Sequence, residues 1–332
     1  MTTIGIVGYG YWGKNLVRNF HNLNTCELTT VCELKEENRT AVKHLYPTIK
    51  TTGEYNELLQ DNALDAVVIA TSVDTHYSLA KKALLAGKHV LVEKPLCDKY
   101  EDAQELVALA KEKNKVLMTD HTFLYTGAVR KMKEMTSDIG NIQYIDSTRI
   151  NLGLFQHDVN VLWDLAPHDI SICNYLTEKQ PTSVQAIGVS HTGNDIENIA
   201  YLTLKYEGNL IAHFNCSWVS PVKIRQTLVG GSKKMLLYND MEPTEKIKVY
   251  DTGYTASTDE ERKQLLVDYR TGDIHVPKVP MTEALSLMAQ DFIDAIETGK
   301  VPDSSAELGL SVVQILAAAQ ISIKENAREV IL

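Results

Sequence analysis

A chain of 332 residues and 37.1 kDa is long enough for two domains, each with its own core. Its 44% hydrophobic and 23% charged residues are ordinary for a globular protein, and a formal net charge of -10 argues against nucleic acid or an anionic membrane as partner. The five cysteines (Cys26, Cys32, Cys97, Cys173, Cys216) are scattered and form no C-x-x-C pair; together with the lack of a leading apolar signal stretch and of any long uncharged apolar run, they fit a reducing, cytoplasmic compartment.

The first thirteen residues set the reading. An apolar strand, 2–7, runs into Gly8-Tyr9-Gly10-Tyr11-Trp12-Gly13, and residues 14–21 continue as a helix with Leu16, Val17 and Phe20 apolar. Strand, G-x-G-x-x-G and helix in that order are how a Rossmann domain seats a dinucleotide pyrophosphate. Gly8 makes the tight turn, Gly10 lets backbone N–H groups approach the phosphates, and Gly13 lets the helix pack close. Glu33, 20 residues beyond Gly13, ends a second strand-like run, 28–32, where its carboxylate can accept hydrogen bonds from the adenosine ribose. A 2′-phosphate would be repelled there, so NAD is favoured over NADP, with Lys35 and Arg39 leaving the second open. The competing reading is a strand-to-helix turn with incidental glycines.

Further on, strands and helices alternate: helix 35–45, a short strand 47–50, helix 55–59, a strand 65–71 carrying a continuous apolar run, helix 77–86 closed by Gly87, strand 89–95, helix 100–113 and strand 116–120. They predict a doubly wound parallel sheet of about six strands in a domain spanning 1–121. Ligands gather at the carboxyl ends of such strands, so Glu33, His121, residues 8–13, residues 71–76 with Thr71, Ser72 and His76, and residues 93–95 are expected around one crevice.

Residues 122–332 form a second domain of a different kind. A helical stretch to 135, strand 142–150 and a helix at 163–175 precede strands at 183–190, 200–206, 210–217, 222–229 and 234–238. Gly208-Asn209 reads as a hairpin turn, so this α+β domain should carry a large open, mostly antiparallel sheet. Its uncovered face predicts a homodimer or homotetramer. Residues 241–279 are polar, a loop over the substrate or a subunit arm. Helices 282–298 and 305–325 close the chain, capped by Thr282 with Gly299 behind, then by Ser304 or Ser305, and the last is free to pack back on the first domain.

Two places hold reactive side chains. Pro95 ends the strand 89–95 and projects Lys94 from it, where an ammonium can hydrogen-bond a substrate hydroxyl and stabilise the developing alkoxide; the plainer reading is a lysine paired with Glu93. In Trp163-Asp164-Leu165-Ala166-Pro167-His168-Asp169, Asp164 and His168 are four apart and would share a helix face, the imidazole as proton acceptor and the carboxylate orienting it. Pro167 makes Asp164 an alternative N-cap, and His168 could be structural. A metal is less favoured, since spacing places no third ligand.

The N-terminal G-x-G-x-x-G, the run Ala86-Gly87-Lys88-His89-Val90-Leu91-Val92-Glu93-Lys94-Pro95 and Asp164-x-x-x-His168 together resemble the Gfo/Idh/MocA oxidoreductases over nearly the whole chain. The resemblance implies a Rossmann domain, a C-terminal domain with an open sheet, and a nicotinamide cofactor. It implies Lys94, Asp164 and His168 as catalytic residues, with the 71–76 segment, Glu93 and Lys94 beside the cofactor. Where many members carry an aspartate three residues after the histidine, this chain has Ser171, and Asp169 follows the histidine directly. The form W-D-L-A-P-H-D is similar to members acting on nucleotide-linked sugars, of the UDP-N-acetylglucosamine 3-dehydrogenase type, which implies interconversion of a secondary alcohol and a ketone at C3. Arg149, Asn151 and Arg130 are candidate phosphate or uronate contacts, each with a structural alternative. Rival readings are a free-sugar or inositol dehydrogenase, a nucleotide-sugar ketoreductase, and a dinucleotide-sensing regulatory protein.

Overall fold

The computed structural model describes residues 1–153, 155–156, 159–193, 195–255 and 268–332. The chain divides into two compact units, one made of Met1–Tyr125 and Thr282–Gln314, the other of Thr126–Met281 and Ile315–Leu332.

The first unit holds strands β1 (Thr2–Val7), β2 (Cys26–Cys32), β3 (Lys50–Thr52), β4 (Ala66–Ile69), β5 (His89–Glu93) and β6 (Leu117–Asp120) in one parallel sheet, ordered β3-β2-β1-β4-β5-β6. Ala66, Val67, Val68 and Ile69 are each 0% exposed, the burial on both faces that their unbroken apolar run requires. The strand order reverses between β1 and β4, the switch point at which such sheets bind ligands. β3 starts at Lys50, not at the expected 47: Pro47 has no N–H to give, the Ile49 N–H turns back to the Tyr46 carbonyl at 3.0 Å, and pairing with β2 begins at Thr30↔Lys50. The helix expected from 77 begins a turn earlier, at Val73.

The helix Ala284–Thr298 belongs to this unit and ends on Gly299 at φ +73, as its glycine suggests. Its start differs from expectation: Glu283 stands at the N-cap in place of Thr282, with its carboxylate bonded to Arg18 and Asn19. Ser305 caps the next helix by accepting the Leu308 N–H at 3.3 Å. Tyr125 donates to Asp291 at 2.7 Å, and the Ser304 hydroxyl donates to the Thr119 carbonyl, so Thr282–Gln314 is bonded into the unit.

The second unit is built on a nine-stranded sheet: β7 (Ile142–Leu152), β8 (Ser183–Val189), β9 (Ile199–Lys205), β10 (Ile211–Ser217), β11 (Val219–Gly231), β12 (Met235–Asn239), β13 (Ile247–Tyr250), and short strands β16 (Ile274–His275) and β17 (Val330–Ile331). Two further strands, β14 (Gly253–Thr255) and β15 (Asp268–Arg270), pair separately. Of the expected 241–279 loop or arm, residues 256–267 lie outside the described residues. All neighbours in the large sheet are antiparallel except β7 and β10. β9 and β10 form the expected hairpin, closing from Lys205↔Ile211 through Gly208 at φ +79. Alternation along β8, β9 and β10 buries Ala186, Leu202 and Phe214 under the helix side and leaves Ile187, Tyr201 and Ile211 at 55%, 44% and 45% exposure. The helix Val161–Thr177 packs on β7, β9 and β10.

The closing helix, Ala306–Lys324, is long and apolar enough to cross a bilayer by length and composition alone. Val312, Val313, Ile315, Leu316 and Ala319 on it are each 0% exposed, the burial of a core helix.

Candidate active site

In the first unit the glycine turn has the shape a pyrophosphate needs. Gly8 sits at φ +93, and a Cβ there would lie 2.5 Å from the Ala70 carbonyl oxygen. A Cβ on Gly13 would come within 2.2 Å of the Gly8 carbonyl oxygen, so the helix Tyr11–Asn22 can lie this close to the turn only with glycine there. Gly10 is the opposite case: it is exposed, and no atom lies within 4 Å of where its Cβ would be, which leaves open room at the helix N-terminus.

Glu33 stands beside this turn. Its carboxylate accepts the Tyr9 N–H at 2.7 Å and the Lys35 N–H at 2.8 Å, fixing it at the end of β2 with lone pairs left for hydroxyl donors. Arg39, which the sequence left as a possible phosphate partner, donates to the backbone carbonyls of Glu33 and Leu34 at 2.7 and 2.6 Å. Tyr9 is 2% exposed and its N–H is taken by Glu33, so it serves by fixing that carboxylate, whereas Tyr11 and Trp12 are 82% and 45% exposed. These residues fit a dinucleotide.

At the ends of β4 and β5, His76 is the connector. Its Nδ1 lies 2.9 Å from the Pro95 carbonyl and its Nε2 3.1 Å from the Thr71 carbonyl, and the ring is 1% exposed. Both nitrogens thus face protein backbone and not a ligand, so His76 ties the 71–76 segment to the turn that carries Lys94. Burial lowers its pKa, although both carbonyls oppose this; a neutral ring has one N–H and donates to one of the two. The Thr71 hydroxyl is 2.7 Å from that of Thr75, which donates to the Ser72 carbonyl. Lys94 follows β5, half-buried, and its N–H donates to Glu93 Oε2 at 3.2 Å. Beneath it Glu93, Asp120 and His121 are 8%, 2% and 0% exposed. Burial, then the Lys94 charge, pushes His121 down to about 3.

The second unit places Asp164 and His168 on one helix. Asn160 caps it, its Oδ1 accepting the Leu162 and Trp163 N–H groups at 3.1 and 3.2 Å, and the helix runs on through Pro167. Asp164 is therefore inside the helix, not at its cap, and shares a face with His168 one turn on. Trp218 fixes the carboxylate by donating its indole N–H to Asp164 Oδ2 at 3.0 Å. Asp169 points elsewhere: Arg149 Nε and Nη2 reach its two oxygens at 2.7 and 2.8 Å, with both side chains 4% exposed. Arg149 thus has the structural role left open beside a substrate contact, and Asp169 is held on β7 and not beside His168. The Ser171 hydroxyl donates to the His168 carbonyl at 2.8 Å. Asn151 is half-buried near the end of β7, close to Gly153, and Arg130 is half-buried on the helix Gly127–Glu134. Among the described residues no cluster of three His, Cys, Asp or Glu side chains is placed to hold a metal.

Trp218, Asn160 and Asp120 escaped the sequence reading. Trp218 in Ser217-Trp218-Val219 is an indole at a strand end, but periodicity gives no hint of what its N–H reaches. Asn160 ahead of an apolar helical run is the cap signal, and Asp164, the alternative, lies one turn inside.

Comparison with known proteins bears on the family and the fold. A model described as the oxidoreductase family with an NAD-binding Rossmann fold matches residues 2–121, and a Gfo/Idh/MocA C-terminal domain model matches residues 130–237. UDP-N-acetylglucosamine 3-dehydrogenase of Acidithiobacillus ferrooxidans is 24% identical over 338 residues, 97% of each chain. Its crystal structure superposes with a TM-score of 0.82 at 21% identity, covering 98% of this chain and 99% of that one. The scyllo-inositol 2-dehydrogenase (NADP(+)) of Bacillus subtilis is 24% identical over 345 residues, 97% of this chain and 94% of the relative. An uncharacterized oxidoreductase of Escherichia coli is 32% identical over a shorter stretch, and the match spans 50% of each chain.

Proposed function

The chain belongs to the Gfo/Idh/MocA oxidoreductases, and on that premise we propose that it is an NAD-dependent dehydrogenase interconverting a secondary alcohol and a ketone on a sugar, a UDP-linked sugar at C3. The observation that carries the reading is the glycine turn with Glu33 beside it: room at Gly10 for a pyrophosphate and a fixed carboxylate for ribose hydroxyls. NAD is preferred to NADP because Glu33 would repel a 2′-phosphate and Arg39 is engaged with backbone carbonyls. Gly8, Tyr9 through the Glu33 carboxylate it fixes, Gly10, Tyr11, Trp12, Gly13 and Glu33 would hold the dinucleotide, which when bound supplies the hydride acceptor.

The protein's own groups do the rest. Lys94 donates to the reacting oxygen and stabilises its developing charge. His168 exchanges the hydroxyl proton, and Asp164, held by Trp218, orients the imidazole and favours its charged form. Thr71, Ser72 and His76 shape the segment beside the nicotinamide, with His76 as its anchor. Asn151 is a candidate substrate contact, while Arg149 would have to leave Asp169 to become one. We further infer a homodimer or homotetramer through the exposed face of β8–β10, and a cytoplasmic location that suits five free, buried cysteines.

Lys94→Ala tests the chemistry: turnover should fall by roughly 100-fold or more with NAD binding nearly intact, and retained turnover would remove Lys94 from the reaction. The substrate is read from thermal shift and steady-state rates with UDP-sugars, free sugars and inositols, each with NAD and with NADP. A free-inositol reading has the Bacillus subtilis relative in its favour. NAD binding without reduction by any member of the panel would favour a dinucleotide sensor.

A further inference from the structure

The ends of β5 and β6 hold a feature that this reading does not use. Glu93 and Asp120 are register partners on adjacent parallel strands, so their side chains leave the same face of the sheet. Both are buried, and their carboxyl groups lie within hydrogen-bonding reach of each other. The Lys94 N–H occupies Glu93 Oε2, and the Thr122 hydroxyl donates to Asp120 Oδ1. Asp120 Oδ2 meets no donor among the described residues. Ionised carboxylates have only acceptors, so a contact between two of them in a site closed to water needs a proton between them.

We propose that Glu93 is a neutral carboxylic acid that donates its proton to Asp120, so that the pair presents a single negative charge beside Lys94 and positions it. The groups around the pair agree. His121, next in the chain and fully buried, has neither ring nitrogen bonded among the described residues, and a neutral ring adds no charge. His76, from the neighbouring helix, is engaged with the Pro95 and Thr71 carbonyls. Lys94 is the cation that acts on both acids. Burial raises Glu93 first and the Asp120 charge raises it further, whereas hydrogen bonds from Thr122 and Glu93 work against the rise that burial gives Asp120. The proton therefore belongs on Glu93, and the pair's negative charge stays on Asp120, one strand over from Lys94. A single shared charge attracts the ammonium less strongly than two would, and holds its position without doubling the buried charge.

The role rests on the reading of Lys94 as the group that meets the reacting oxygen, but the protonation state is measured without any turnover. Infrared spectra of the full-length protein at about pH 8, where an ordinary carboxyl is ionised, should show a C=O stretch of a protonated acid above the amide I band. Carboxyl-13C glutamate should shift it and labelled aspartate should not, which requires no variant. Glu93→Gln should delete the band, and Asp120→Asn should keep it at a changed frequency. No band in the unmodified protein, or a band that follows labelled aspartate, overturns the proposal. With turnover established, Asp120→Asn should lower kcat by roughly tenfold or more while the NAD dissociation constant changes by less than about threefold; an unchanged kcat overturns the positioning role. A glutamate band in a protein that oxidises no sugar would leave the pair standing and sink only the dehydrogenase reading.

Discussion

Replacing Arg149 by methionine separates a guanidinium that supports the fold from one that grips a substrate phosphate. The guanidinium makes two charge-assisted hydrogen bonds to Asp169, at 2.7 and 2.8 Å, between side chains that are each 4% exposed. Arg149→Met strands the Asp169 carboxylate in the interior, which should cost about 3–5 kcal/mol, roughly a hundred- to several-thousand-fold in the folding equilibrium. Asp169→Leu should cost a similar amount by stranding the guanidinium. Because desolvating both ions offsets most of their attraction, the double variant Arg149→Met/Asp169→Leu should recover to within about 1–2 kcal/mol of the parent. The assay is urea unfolding followed by the fluorescence of Trp163 and Trp218, both in the unit that holds the pair, in a Trp12→Phe background. An Arg149→Met protein that unfolds at the parent midpoint but shows a raised KM for a UDP-sugar would refute the reasoning and return the residue to the substrate.

Gly10→Ala and Gly13→Ala should fail differently in thermal-shift titrations with NAD: the first keeps its melting temperature and loses affinity, because its Cβ meets nothing within 4 Å, while the second loses stability outright, because its Cβ would lie 2.2 Å from the Gly8 carbonyl oxygen. Burial and the Lys115 charge hold His89 down to about 4, and its Nδ1 accepts the Val116 N–H at 2.9 Å. The unfolded chain takes up that proton near the ordinary value, so stability should be full above about pH 6.5, fall as pH drops towards 4, and fall less steeply in a His89→Gln variant. Tyr201→Lys, on the exposed face of β9, should convert an oligomer to monomer in light scattering at micromolar concentration, and a monomeric parent would discard the inferred assembly.

What could be read in the sequence was whatever is encoded locally. The turn at residues 8–13 and the apolar runs of β1, β4 and β5 dictate their own conformation, so the parallel sheet was legible, and Gly208 and Gly299 marked a hairpin and a helix end through backbone freedom alone. The shifts came where a neighbour decides. Around Pro47 the Ile49 N–H turns back to the Tyr46 carbonyl, so β3 waits until Lys50, and Glu283 replaced Thr282 at a helix start because Arg18 and Asn19, far back in the chain, hold its carboxylate. The site followed the same division. Lys94, Asp164 and His168 are candidates by residue type and spacing, and only the family resemblance implies their roles, but the Trp218 indole on Asp164, Arg149 on Asp169 and Asp120 opposite Glu93 are long-range pairings that no periodicity encodes.

The return of Thr282–Gln314 to the first unit governs how this protein can be dissected. A fragment stopped after Asp120 would leave the Thr119 carbonyl without the Ser304 hydroxyl and bare the surface that Met288 and Phe292 cover. Anyone wishing to study dinucleotide capture in isolation should excise the middle of the gene and splice residue 125 to residue 282 through a short linker, ending at 314, instead of simply truncating.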